Sequence, residues 1–116
     1  MNPGTSIKQN SDFRRIYSRG KSAVSPCVVV YCRKNRLGVN RLGFTVSRKL
    51  GKAVVRNRTR RRLREIMRLN STNMEQGYDL ILVARGRAVT AEYKKLEADT
   101  LSCCERLHLM KKDVKT

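Results

Sequence analysis

The sequence predicts an α+β fold, a two-layer sandwich whose helices pack on one sheet in the order helix, strands, helix, strand, helix. Three short apolar runs have the length and composition of strands. Longer segments repeat their apolar residues at the helical period, and Gly or Pro separates the elements. The length of 116 residues suits a single domain over 1–116, with 1–10 as a flexible basic tail.

The first elements are a short helix and two strands. Ser11 is a predicted N-cap, and the helix ends before Gly20. The run Cys27–Cys32 is apolar on both faces and predicts a covered strand. Residues 41–47 alternate apolar with small or polar side chains, which predicts a half-buried strand. We expect these two strands to pair antiparallel.

The second half predicts two amphipathic helices around a third strand. The segment Lys52–Leu69 places one set of side chains on a common face: Val55, Thr59, Leu63, Ile66 and Met67. Arg56 falls inside this stripe, so either the helix begins later or the stem of Arg56 lies along the core edge. Tyr78–Arg85 is the third strand, and Thr90 is the predicted cap of the last helix.

Positive charge is concentrated in one part of the chain. From Arg48 to Arg64, nine of seventeen residues are Lys or Arg and none is acidic. Residues 1–64 hold 18 basic residues and the single acid Asp12, and they carry +17 of the net charge of +18. A solvated helix face held by intrahelical salt bridges is a weak explanation for such a run, because the run contains no acid partner and closely spaced like charges repel. The pattern predicts a polyanionic partner, with guanidinium groups bonding RNA phosphates.

An anionic membrane surface is the competing partner for this charge. It requires bulky apolar anchors opposite the cations, whereas this run offers only Val, Leu, Ile and Met, which a core also uses. No stretch approaches the roughly 18 apolar residues of a membrane span, and no secretory signal is evident. We expect a cytoplasmic protein with no membrane partner.

Cysteine and histidine offer little chemistry. A zinc site from Cys27, Cys32, Cys103 or Cys104 with His108 is disfavoured, because adjacent cysteines rarely serve one tetrahedral ion. We interpret Cys27 and Cys32, which lie in an apolar strand pattern, as reduced, partly buried thiols, and expect no metal site. An autonomous nuclease is also disfavoured, since it needs clustered carboxylates or paired histidines.

Three aromatic residues are candidates for base stacking. Phe13 and Tyr17 are one helical turn apart, and Tyr31 lies on the following strand. Core packing is the default role of such rings. If the first helix packs beside that strand, the rings line a groove for single-stranded bases.

With this charge pattern and these motifs, the sequence resembles the protein subunit of bacterial ribonuclease P. The resemblance covers most of the chain, through N-S-D-F at 10–13, V-V-V-Y at 28–31, L-G-F-T-V-S-R-K at 42–49, G-K-A-V-V-R-N-R-T-R-R-R-L-R-E at 51–65 and the later strand Y-D-L-I-L-V-A-R. One combination of motifs is specific for this family: the R-N-R block directly follows a strand that ends in S-R-K, and D-F lies upstream. A structural RNA-binding protein, such as a ribosomal component, is the alternative and needs no aromatic cleft.

The resemblance implies an accessory protein with no catalytic residue of its own, in a ribonucleoprotein whose RNA cleaves the 5′ leader from precursor tRNA. It implies one protein per catalytic RNA, and Mg²⁺ held mainly by the RNA subunit and substrate. It also implies a mixed sheet with a left-handed strand-helix-strand crossover. The residues expected to contact the catalytic RNA are Lys49, Lys52, Arg56, Asn57, Arg58, Arg60, Arg61 and Arg64. Those expected to hold the leader are Phe13, Tyr17, Tyr31 and Ser47.

Overall fold

Five strands and four helices make up the described part of the chain, residues 5–7 and 10–111 of a computed structural model. In chain order they are β1 Thr5–Ser6, α1 Asn10–Arg19, β2 Lys21–Val24, β3 Val28–Lys34, β4 Arg41–Thr45, α2 Ala53–Asn70, β5 Tyr78–Ala84, α3 Gly86–Thr90 and α4 Tyr93–Arg106. Short 3-10 turns at Arg48–Leu50 and Ser71–Asn73 flank α2.

The strands form one mixed sheet in the order β1, β4, β5, β3, β2. Strand β4 is parallel to β5, and α2 connects these neighbours, so the predicted α+β fold with a strand-helix-strand crossover is confirmed. The left-handed sense of the crossover stays a prediction. The expected antiparallel pairing of β3 with β4 is wrong, because β5 lies between them and pairs with both. The apolar run of β5 is buried on both faces, which suits a central strand.

The sheet has one closed face and one face that is partly open. On the closed face, α2 and α4 pack over Val28, Val30, Leu80 and Leu82, and this is the main core. On the other face, α1 alone buries Ile16 against Ile81, and Ile7 completes this smaller cluster. Helix α1 therefore adds a partial third layer to the predicted sandwich.

Two predicted features differ from the structure. Within the predicted tail at 1–10, Thr5 and Ser6 pair with β4 and Ile7 is buried, so these residues belong to the fold. The rest of that tail, 1–4 and 8–9, lies outside the described residues, except Asn10, which begins α1. Thr90 is not the cap of the last helix, because it ends α3 and Glu92 occupies the N-cap position of α4.

Candidate nucleic-acid interface

The solvent side of α2 presents a row of cations. Arg58, Arg61 and Arg64 are exposed, and α2 has no acid before Glu65. Arg64 holds its guanidinium carbon 5.3 Å from the ring centroid of Phe44, which fixes the direction of that side chain through a cation–π contact. Arg58 and Arg61 form no ion pair with any residue the structure describes. Their charge is available to a partner.

The start of α2 lacks the usual stabilising groups. No acid lies in its first turn, and Lys52 at the N-cap position makes no side-chain cap hydrogen bond. The positive end of the helix dipole and several backbone N–H groups are therefore left without an internal anion. Lys49 and Lys52 are exposed nearby. This end of the helix suits an anionic ligand.

Arg56 and Asn57 are placed by local hydrogen bonds. The helix has begun before Arg56, which is partly buried and donates from Nε to the carbonyl oxygen of Gly51 at 3.1 Å. The first interpretation of Arg56, that the helix begins later, is therefore wrong, and the position of its stem along the core edge stays a prediction. Gly51 has a φ of 146°, and a Cβ there would lie 3.2 Å from that of Val55, so glycine is required. Asn57 is exposed, and its Oδ1 accepts from Arg60 Nη1 at 2.9 Å.

Other arginines of α2 have protein partners. Arg62 donates from Nη2 to the carbonyl oxygen of Ala91 at 2.7 Å and from Nη1 to that of Ala88 at 3.4 Å, which ties α2 to α3. Arg68 pairs with Glu65 at 2.6 Å, and its hydrogen bonds hold the pKa of Glu65 below the usual value. The row of unpaired cations therefore ends at Arg64.

The three candidate stacking residues lie together on the partly open face. The ring centroids of Phe13 and Tyr17 are 6.3 Å apart, and those of Tyr17 and Tyr31 are 4.8 Å apart in an edge-on arrangement. Phe13 lies over Gly43, where a Cβ would come within 2.9 Å of its ring. The predicted condition for a groove, α1 packed beside β3, is met. Tyr17 is 39% exposed, so its ring is accessible.

The floor of this aromatic cleft includes residues that the sequence did not single out. Val29, Val83 and Thr45 are aligned across β3, β5 and β4 and are only partly buried. The Tyr17 hydroxyl lies 3.2 Å from Thr45 Oγ1. Two residues beyond Thr45, Ser47 is exposed, and its Oγ accepts from the backbone N–H of Lys49 at 3.2 Å. The two-residue period of β4 was the signal that could have identified Thr45.

An ion-pair network holds α1 against the sheet. Arg41 on β4 donates from Nε and Nη2 to the two carboxylate oxygens of Asp79 at 2.8 and 2.6 Å, and its Nη1 lies 3.7 Å from Asp12 on α1. Burial acts to raise the pKa of Asp79, but hydrogen bonds from Arg41 and Asn35 outweigh it and keep this pKa below the usual value. Both acids are therefore engaged in structure.

The cysteines are core residues. Cys27, Cys32, Cys103 and Cys104 are all buried and free, so Cys27 and Cys32 are more deeply buried than predicted. Burial raises the pKa of Cys104 to about 12, so the thiol keeps its proton, which a metal would have to displace. Within residues 5–7 and 10–111, no three His, Cys, Asp or Glu side chains are grouped so that they could hold a metal ion. None of the described helices is long and apolar enough to cross a membrane.

Comparisons with known proteins agree with this geometry. The family model described as Ribonuclease P matches residues 1–108. The Ribonuclease P protein component of Natranaerobius thermophilus is 41% identical over 98% of this chain and 99% of its own length. That of Thermoanaerobacter sp. strain X514 is 47% identical over 78% of each chain.

Solved structures with the same fold come from the same family. The RNase P protein of Staphylococcus aureus has a TM-score of 0.85 and 31% identity, and the match covers 93% of this chain and 99% of that one. The RNase P protein of Thermotoga maritima has a TM-score of 0.78 and 31% identity over 85% and 94% of the two chains. Sequence, fold and the basic helix agree, and the chain belongs to the ribonuclease P protein family.

Proposed function

We propose that this chain binds the catalytic RNA of ribonuclease P through the solvent side of α2 and the 5′ leader of precursor tRNA through the aromatic cleft. In this role it promotes endonucleolytic removal of the leader to give the mature 5′ end of tRNA. The observation that carries the proposal is the row of exposed arginines, Arg58, Arg61 and Arg64, which has no acid partner before Glu65.

The first contribution is charge neutralisation. Catalytic RNA and precursor tRNA repel each other, and each phosphate that an arginine neutralises also releases counterions. The start of α2 adds uncapped N–H groups, with Lys49, Lys52 and Arg56 close by in sequence. Asn57 and Arg60, joined by their hydrogen bond, add polar contacts along the same helix.

The second contribution is selectivity for precursor over mature tRNA. Mature tRNA has no leader, so any contact in the cleft favours the substrate over the product. Phe13, Tyr17 and Tyr31 offer ring surfaces on which bases stack, each stack being worth about 1–3 kcal/mol. In this proposal Ser47, near the end of β4 and four residues before Gly51, continues the leader site toward the start of α2.

The chemical step is assigned to the RNA. The described side chains offer no cluster of metal ligands, so we place the catalytic Mg²⁺ on the RNA subunit and substrate, where it would activate water and stabilise the leaving oxygen. The protein has no catalytic residue in this proposal. It acts as a monomer in a 1:1 complex with the RNA, in the cytoplasm.

Reconstitution tests the division of labour. The purified chain is added to a ribonuclease P RNA at low Mg²⁺, and precursor tRNA cleavage is followed. We expect stimulation by the protein and no cleavage by the protein alone. Absence of stimulation by a folded protein would contradict the proposal, and cleavage without RNA would overturn the assignment of the chemistry.

Tyr17 tests the cleft. In the reconstituted complex, Tyr17→Ala should weaken precursor binding by about tenfold, the loss of one stacking contact, and leave mature tRNA binding unchanged. Tyr17→Phe is the matched control, since it keeps the ring and removes only the hydroxyl that contacts Thr45. Equal losses for precursor and mature tRNA would count against a leader site.

A further inference from the structure

A second basic site lies on the opposite flank of α1 from the aromatic cleft. At about 100° per residue, Arg15 and Tyr17 point about 200° apart around this helix. Tyr17 faces Thr45 in the cleft, whereas Arg15 lines a cavity of about 400 Å³ with the end of β3 and the loop after it. The charged side chains that line this cavity are Arg15, Arg33, Lys34, Arg36, Arg41 and Asp79.

The charge in this cavity is mostly uncompensated. Asp79 is its only lining carboxylate, and Arg41 occupies both of its oxygens. Asp12, outside the cavity lining, lies 3.6 Å from Arg15 and 3.7 Å from Arg41. Among the residues that the structure describes, Arg33, Lys34 and Arg36 form no ion pair, although Arg33 lies opposite Asp79 in the strand register and contributes to the lowered pKa of that carboxyl. Three adjacent cations repel one another, and an anion bound among them would remove that cost.

The loop that carries these cations is held in shape before any ligand binds. Asn35 donates from Nδ2 to Asp79 Oδ1 at 2.9 Å and to the carbonyl oxygen of Val39 at 3.1 Å, and its Oδ1 accepts from the backbone N–H of Leu37 at 2.8 Å. Its own N–H donates to the carbonyl oxygen of Gly77 at 2.8 Å. A preformed loop loses less conformational freedom on binding, which favours a specific contact.

The cavity has a further property that points to a nucleotide rather than a free inorganic anion. Leu37 also lines it and is 57% exposed, so an apolar surface stands beside the cations. A nucleotide in an RNA strand offers a group for each: a phosphodiester for the cations, and the face of a base or ribose for the apolar surface. Arg33 shares the face of β3 that carries Tyr31 and packs against α1, whereas Lys34 shares the opposite face with Cys32, so the site lies at the end of β3.

We propose that this cavity is a second RNA-binding site, which holds a phosphodiester of an RNA strand among Arg33, Lys34 and Arg36 with Leu37 against the adjoining nucleoside. The inference rests on the proposed function for the identity of the polymer. The strand belongs to the precursor or to the catalytic RNA, and both present the same chemistry.

The test uses the reconstituted complex and the double variant Lys34→Gln/Arg36→Gln. Both side chains are exposed, so the fold should persist, which circular dichroism checks. The matched control is Arg87→Gln/Lys94→Gln, which removes one arginine and one lysine at exposed positions of α3 and α4. Affinities for catalytic RNA, precursor tRNA and precursors with shortened leaders are measured over a range of salt concentrations.

The cavity variant should lose about tenfold in affinity for one RNA, and the slope of log K against log salt should fall by about one, while the control stays within about twofold. A loss for precursor that disappears with shortened leaders assigns the strand to the leader, and a loss in assembly assigns it to the catalytic RNA. Equal behaviour of the two double variants would overturn the inference. A separate variant tests the proposed function of α2, which would be contradicted if Arg61→Ala left RNA binding unchanged.

Discussion

Two neighbouring arginines of α2 have different partners. Arg62 faces α3 and donates to the carbonyl oxygens of Ala88 and Ala91. Arg61, on the solvent side, is exposed with no ion-pair partner among the described residues. The two residues are adjacent and chemically identical, but they lie about 100° apart around the helix. One guanidinium stabilises the fold and the other is left for a ligand. The partner of a cation, rather than its residue type, decides whether it serves structure or binding.

Among the variants that test this comparison, Arg62→Ala should have the largest effect, which is a loss of stability. The change removes two hydrogen bonds that a charged donor makes to backbone carbonyl groups at the part-buried α2–α3 contact. We expect the free energy of unfolding to fall by about 1–3 kcal/mol, measured by urea denaturation. A variant as stable as the wild type would mean that Arg62 belongs with the solvent-side arginines.

Arg61→Ala should give the opposite pattern. Because Arg61 is exposed and forms no ion pair with the residues that the structure describes, its loss should change the free energy of unfolding by less than about 0.5 kcal/mol. Binding to the catalytic RNA should weaken, and the slope of log K against log salt should fall by about 0.9 for one lost phosphate contact. The same slope in the variant and the wild type would exclude Arg61 from the interface.

The sequence predicted the elements with strong periodicity and missed those without it. Helix α2 was expected at 52–69 and spans 53–70, because its apolar stripe repeats at the helical period from Val55 to Met67. Strand β2 was missed, since Lys21–Val24 is short and mostly exposed, and edge strands need no apolar run. Pairing of β3 with β5 joins residues about 50 apart, and local patterns carry no information on such contacts.

The residues of the candidate site likewise divide into those that the sequence predicted and those that it did not. Unpaired charge on α2 was predictable, because the absence of acids near Arg58 and Arg61 is visible in the sequence itself. The role of Arg62 was not, since its acceptors lie 26 and 29 residues away on backbone carbonyls. The cavity at Arg33 was missed for the same reason, as Arg15 and Asp79 reach it from distant parts of the chain.

The smallest effect, Glu65→Gln, would extend the row of unpaired cations by one turn. Glu65 lies four residues after Arg61 and holds Arg68 at 2.6 Å, so its neutralisation should free Arg68 for phosphate. Both side chains are exposed, so the melting temperature should barely change, whereas RNA affinity should rise a few-fold at low salt and less at high salt. Glu92→Gln, at an exposed position outside α2, makes the same change in net charge. An equal gain in both variants would show that total charge governs binding, and a gain only at Glu65 would show that RNA lies along α2 as far as Arg68.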